Sequence, residues 1–351
     1  MNIAVDETRA AGGLCAVYVD MGTTNTRVWL ATGDDVLARA SANCGVRDTA
    51  RDGTNNLLRQ TLRHLIAEMC AEAEKVPIAR SLGDAACARP VVPTCVVAAG
   101  MITSSLGLIE VPHVRAPAGE RELAARVECH SFRDITPLPF LLVPGVRAGA
   151  LDGSAHGAAT ADLMRGEETL CVGLVARGVL ETPGVVLSLG SHWKAIRVDR
   201  HGRVASSVTS LAGELIHAAQ TQTILASAVP HDRPVFVADE WLRAGMTEQR
   251  ERGLARALFC VRLLEQGGAS TPEERLSYLV GAFIALDMDA LMRHGVLSRE
   301  LPIVITGGAA LATAWRRALA EATVSASVVG PDEVEQSFLS GLYRLATTAT
   351  H

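Results

Sequence analysis

Three short stretches carry the residue types that could do chemistry. The first is Asp20-Met-Gly-Thr-Thr-Asn-Thr-Arg27. Gly22 lets the backbone turn without a Cβ. Thr23, Thr24, Asn25 and Thr26 then line up amide and hydroxyl donors of the kind that cradle phosphate oxygens. Asp20 ends an apolar run and could hold Mg²⁺ through water, because that ion keeps much of its hydration shell. An ordinary hairpin with a Gly-Thr turn is the plainer alternative. The second stretch, Val185 to Val198, enters a Gly190-Ser191 turn and leaves as a strand, with His192 and Lys194 adding positive character. The third, Ala159 to Gly173, gathers Asp162, Arg165, Glu167 and Glu168 beside small residues. An aspartate held near a polarising group can take a hydroxyl proton. Asp162 could equally cap a helix beside a solvated Arg–Glu pair.

The elements that must position these residues follow from the apolar pattern. Strands are expected at about 14–20, 26–31, 36–41, 94–98 and 140–143, and again at 301–305 and 324–329. Asp52 to Glu74 has Leu57, Leu58, Leu62, Leu65 and Ile66 near helical spacing. Asp162 is placed near a helix start. Further helices are expected from Thr209 to about Ala226, over most of Arg233 to Gln266 with a glycine break, from Thr271-Pro-Glu-Glu to about Arg293, from Ala310 to Glu321, and from Pro331 onward. Residues 1–13 read as a loose arm, and 76–93 as a loop with Pro77, Pro90 and Pro93.

Three strand exits add candidates. Ala99 to Glu110 is small and hydroxyl-rich after a buried strand, where an α/β sheet presents a ligand loop, or it is a plain glycine-rich connection. Arg147 follows Pro144-Gly-Val and could clamp a carboxylate with its planar fork, or lie on the surface. Thr306-Gly307-Gly308 permits close approach of a flat ring or a phosphate. The strand–turn–strand at 185–198 echoes the one at 16–30 in architecture, though the halves do not align residue by residue.

Composition narrows the classes. At 351 residues the chain can hold two domains, each with its own core. With 48 % hydrophobic and 20 % charged residues it is a globular chain. A net charge of −5 gives no basic footprint for nucleic acid, and no Lys/Arg run would seat a membrane surface. No apolar run spans 18 residues, and the first twenty residues lack an apolar h-region, so a cytoplasmic protein is expected. Eight scattered cysteines without Cys-x-x-Cys suit reduced core thiols. Gly-x-Gly-x-x-Gly, Walker A, Gly-x-Ser-x-Gly and His-Glu-x-x-His motifs are all absent, which disfavours the enzyme classes built on them.

With these landmarks assembled, the chain resembles the 2-dehydro-3-deoxygalactonokinases, sugar-acid kinases of the actin-like ATPase superfamily. The resemblance covers about 14–349. It rests on Asp20 to Arg27, Ala99-Gly-Met-Ile102 with Ser104-Ser105, Pro144 to Arg147, Met164-Arg-Gly-Glu-Glu-Thr169, and Gly190 to Lys194 with Gly213-Glu-Leu-Ile-His217. It implies an α/β fold of two actin-like, ribonuclease-H-like domains, 1–180 and 181–351, flanking an ATP cleft. The first would bind the sugar acid and carry one phosphate turn; the second would carry the other turn and the adenosine site. The resemblance further implies phosphorylation of 2-dehydro-3-deoxy-D-galactonate at its primary hydroxyl, with ATP and Mg²⁺. By analogy with related kinases, Asp162 would be the base. Gly22 to Thr26, Gly190, Ser191, His192, Lys194, Gly307 and Gly308 would serve ATP, and Asp20 the metal. Gly100, Met101, Ser104 and Ser105 would wall the sugar, and Arg147 and Arg165 would meet its carboxylate. One departure stands out: the family tends to read Pro-Gly-Thr-His-Ser-Lys-Trp where this chain has Leu189-Gly-Ser-His-Trp-Lys-Ala195. Alternatives are a kinase for another 2-keto-3-deoxy acid, a non-kinase actin-like nucleotide-binding protein, or a phosphohydrolase. Self-association is left open.

Overall fold

The computed structural model describes residues 13–33, 35–75, 91–150 and 152–349. The arm expected over 1–13 and the loop over 76–93 fall largely outside them, as do Pro77, Pro90 and Cys87. The chain forms two compact units: Met1–Arg177 with Glu335–His351, and Gly178–Val334.

The first unit is built on β1 (Cys15–Met21), β2 (Thr26–Thr32), β3 (Asp35–Ala42) and β4 (Val96–Gly100). Two short strands, β5 (Val114–Arg115) and β6 (Glu128–His130), precede β7 (Phe140–Leu142). The main sheet runs β3-β2-β1-β4-β7-β6. β1 pairs antiparallel with β2 and parallel with β4. Val17 and Val19 on β1 pack with Val28 and Leu30 on β2, and with Leu58, Leu62, Ile66 and Met69 of helix α2 (Asn56–Lys75). A seven-residue helix, α1 (Val46–Asp52), precedes α2. A smaller sheet joins β5 to β8 (Val146–Ala148) and β9 (Asp162–Met164). Helices α3 (Glu120–Ala124), α4 (Ala155–Thr160) and α5 (Glu167–Ala176) complete the run to 177.

In the second unit, β10 (Gly184–Leu189), β11 (Trp193–Val198), β12 (Val204–Ser210), β13 (Ile303–Gly307) and β14 (Ala326–Val328) form a sheet in the order β12-β11-β10-β13-β14. Helices α6 (Ala212–Gln222), α7 (Asp239–Arg252), α8 (Leu254–Gly267), α9 (Pro272–Arg293) and α10 (Ala309–Glu321) belong to it. Thr271 caps α9 through a reciprocal bond set with Glu274, which matches the Thr-Pro-Glu-Glu start read in the sequence. The helix expected from Thr209 begins only at Ala212, because Thr209 and Ser210 still pair in the sheet.

The last helix, α11 (Pro331–Ala349), corrects the expected division of the chain. A boundary at 180/181 would place it in the second half, yet residues 335–351 belong to the first unit. The reason lies in two reciprocal glycines. A Cβ on Gly173 of α5 would collide with the Ser337 carbonyl oxygen, and one on Gly341 with that of Thr169. The two helix backbones therefore touch, and any side chain at the crossing would force them apart. Phe338 meets Trp29 with ring centroids 6.4 Å apart, and Glu335 accepts from Arg39 at 2.7 Å.

The two units repeat one plan. In each, a hairpin, an antiparallel third strand and a parallel fourth strand lie in the same order. The duplication extends to the glycines. A Cβ on Gly45, just before α1, would collide with the carbonyls of Gly22 and Thr23; one on Gly213, in the first turn of α6, would collide with those of Gly190 and Ser191. Gly100 closes the fourth strand against the Met21 carbonyl, as Gly307 closes its counterpart against Leu189. This is the actin-like, ribonuclease-H-like arrangement, built twice. Among the described residues no helix is long and apolar enough to cross a membrane.

Candidate active site

In the first unit the sheet presents Asp20 at the end of β1, next to a tight turn. The Gly22 amide donates to the Asn25 carbonyl at 2.8 Å. The carbonyls of Gly22 and Thr23 accept from the amides of Val46 and Arg47 at 3.4 and 2.9 Å. Gly22 therefore spends its N–H inside the turn, and Thr23, Thr24 and Asn25 are the donors the turn can offer. Thr26 is fully buried and donates its hydroxyl to the Cys44 carbonyl at 2.8 Å. It ties the third strand's exit to the turn, a different task from the phosphate contact expected of it. Asp20 is paired with Arg27, whose Nε lies 3.2 Å from Oδ2.

Gly100 follows Asp20 in space. It adopts φ 88°, where a side chain would be strained, and a Cβ there would stand 3.3 Å from Asp20 Oδ1. The segment after it winds into a tight loop. Thr103 donates to the Gly100 carbonyl at 3.0 Å, and Ser104 to the Met101 carbonyl at 2.7 Å. Of the expected sugar wall, Ser104 is thus turned to its own loop, Met101 is half-buried and Ser105 is exposed. Arg165 stands behind this loop. It donates from Nη1 to the Thr103 hydroxyl at 2.9 Å and from Nη2 to the Val111 carbonyl at 2.8 Å. Arg147 lies exposed on β8, inside the small sheet rather than at a strand exit.

Asp162 also departs from expectation. It opens β9, opposite Ala148 of β8, and the helix it was to begin starts five residues later at Glu167. Gly166, at φ 109°, makes the sharp bend between them.

In the second unit the turn Gly190 to His192 joins β10 to β11, and the Glu214 amide donates to the Ser191 carbonyl at 2.9 Å. His192 lies 3.4 Å from Glu214, both partly exposed. Lys194 is only 4 % exposed and donates its ammonium to the Thr209 hydroxyl at 2.7 Å, across the β11–β12 pair. It braces the sheet beneath the turn. Gly307 ends β13, and Gly308 precedes α10.

The model of the 2-keto-3-deoxy-galactonokinase family matches residues 20–345, from Asp20 through both turns. The chain belongs to this family. It is 24 % identical over 328 residues to the 2-dehydro-3-deoxygalactonokinase of Escherichia coli K12, a match covering 92 % of this chain and 94 % of that one. Its fold is similar to the crystal structure of a candidate 2-dehydro-3-deoxygalactonokinase from Sinorhizobium meliloti, with a TM-score of 0.72 and 23 % identity over 94 % of this chain and 95 % of that one.

Two further residues, neither given a role from the sequence, lie beside Arg165 and Gly166. His113, one of them, sits with Nδ1 3.3 Å from Arg165 Nη2. Burial, then the charges of Arg165 and Arg147, push its pKa down to about 4. At neutral pH it is an uncharged acceptor beside the Arg165 guanidinium. Glu168 is the other. It is fully buried, and both its oxygens accept from the Gly166 amide, at 2.8 and 2.9 Å. Burial foremost, then the neighbouring Glu167, raise its pKa to about 7.

That shift has a measurable sign. Between the ordinary value of 4.5 and about 7, folded protein holds a proton on Glu168 that unfolded protein releases. Stability from this group is fully present below pH 4.5 and is lost as pH rises through 7. Glu168→Gln should remove the loss, which amounts to up to about 3 kcal/mol. The check is the thermal midpoint of variant against wild type from pH 4.5 to 7.5. The variant should gain relative stability as pH rises, and a constant difference would contradict the shift.

Proposed function

We propose that this kinase transfers the γ-phosphoryl group of ATP to the primary hydroxyl of 2-dehydro-3-deoxy-D-galactonate, giving the 6-phosphate. The observation that carries this reading is the family match, which takes in Asp20, both turns and the Met164–Thr169 segment. The duplicated turns support it. Phosphoryl transfer asks a protein mainly for positioning and for neutralisation of spreading charge. Thr23, Thr24 and Asn25 from one turn, with Gly190, Ser191 and His192 from the other, would serve the same triphosphate. Gly307 and Gly308 would serve the adenosine side.

The basic cluster supports an acidic sugar. Arg147 is exposed and would take the substrate carboxylate in a forked pair. Arg165, bound to Thr103 and Val111, would fix the wall formed by Gly100, Met101 and Ser105.

Mg²⁺ fits Asp20. Among the described residues no three His, Cys, Asp or Glu side chains gather to hold a metal ion. One carboxylate completed by water and phosphate oxygens is how this ion is ordinarily held in phosphotransferases. Asp20 would hold it through water, and the ion would neutralise phosphate charge.

A coupled assay of ADP release over a panel of sugar acids with Mg-ATP tests the proposal. Turnover should require 2-dehydro-3-deoxy-D-galactonate, with phosphate on its terminal carbon. Preference for a different 2-keto-3-deoxy acid would reassign the substrate. ATP splitting without an acceptor would point to a phosphohydrolase.

A further inference from the structure

We propose that Glu167 is the residue that takes the proton from the sugar hydroxyl. The inference rests on the kinase reading of the first unit and deepens it. Close contacts lead from Asp20, beside the phosphate turn, to the bend just before this residue. A Cβ on Gly100 would stand 3.3 Å from Asp20 Oδ1, and one on Gly166 would stand 3.5 Å from Gly100 Cα. The bend before α5 is therefore packed against the glycine that touches the Asp20 carboxylate. Glu167 is the next residue, the first of a ten-residue helix.

The neighbours narrow the choice. Glu168 is sealed in the interior with both oxygens on the Gly166 amide, so no substrate hydroxyl reaches it. Its bond instead clamps the bend that presents Glu167. Arg165, on the other side of Gly166, is anchored to Thr103 and Val111, which fixes the bend from that side too. Glu167 itself is only partly buried. It stands in the first turn of α5. Asp162 lies two residues behind Met164 on β9, about 7 Å of strand further from the bend, and its strand neighbour is Ala148.

In the reaction, the hydroxyl proton passes to the Glu167 carboxylate. The freed oxygen electron pair forms the bond to the γ-phosphorus. The bond between that phosphorus and the β–γ bridging oxygen breaks, and its electrons leave on ADP. The proton is released to water after the products depart.

The test compares Glu167→Gln with Asp162→Asn in the coupled assay with Mg-ATP and 2-dehydro-3-deoxy-D-galactonate. Glu167→Gln should lower kcat by roughly 10²–10⁴-fold. Its affinity for ADP, measured by calorimetry, should stay within about threefold of wild type, and Asp162→Asn should keep kcat within about tenfold. Wild-type turnover in Glu167→Gln, or collapse confined to Asp162→Asn, overturns the inference. If Glu167→Gln does not fold, Glu167→Asp carries the test, since it keeps the charge but withdraws it by one methylene; unchanged kcat there overturns the inference equally. Wild-type protein with no sugar-acid-dependent ADP release sinks the kinase reading and this inference together. Wild-type turnover with an unimpaired Glu167→Gln sinks this inference alone.

Discussion

Asp20→Asn should lower kcat by roughly 10²–10³-fold while leaving the fold intact, the loss usual for one group that meets charge developing in a transition state. The side chain is placed for such a role by the sheet itself. β1 is the strand from which both the antiparallel hairpin and the parallel β4 depart, and Asp20 stands at its exit between Arg27 and Gly100. The amide keeps the shape but gives up the charge that would hold hydrated Mg²⁺. Stability should change little, because the Arg27 partner is largely exposed and such pairs contribute at most about 1 kcal/mol. The discriminating measurement is kcat against Mg²⁺ concentration. The variant should need far more ion and still fall short. Arg27→Met should not reproduce the defect. If the two variants behave alike, Asp20 merely pairs with Arg27 and the metal assignment is wrong.

Much of the scaffold was legible because its signals are local. Val17 and Val19 alternate into a strand, and Gly22-Thr-Thr-Asn can hardly be anything but its turn. Thr271-Pro-Glu-Glu announces α9 by its own capping chemistry. The echo of the first hairpin in the second was likewise visible, since apolar runs flank both turns. What stayed hidden depends on contacts distant in sequence. The amphipathic pattern of α11 says which face is apolar, but not that Gly341 will lie on Thr169. Lys194 would point outward in a strand with one wet face. β11 is buried at Trp193, Lys194 and Ala195 in succession, so the period of two fails there. Asp162 reads as a helix start in the sequence because β9 is only three residues long and the bend at Gly166 intervenes before α5. His113 belongs to no motif; only the fold brings it to Arg165.

Thr23→Ala and Ser191→Ala should each weaken ATP binding by roughly 10- to 100-fold, the range for a hydrogen bond to a charged group. Both positions sit on turns whose carbonyls are consumed by a following helix start, Thr23 by Arg47 and Ser191 by Glu214. That anchoring fixes each turn's own donors in one orientation, so the alanine variants remove a contact without loosening the backbone. If the two turns serve one triphosphate, the losses should roughly multiply in the double variant, as for separate contacts to one ligand. The affinity for a non-hydrolysable ATP analogue with Mg²⁺, measured by titration calorimetry on wild type, both single variants and the double variant, is the most direct trial of the claim that the duplicated hairpins share a nucleotide. Weakening by both single variants, compounded in the double, is the predicted result. Unchanged affinity in either single variant would contradict it.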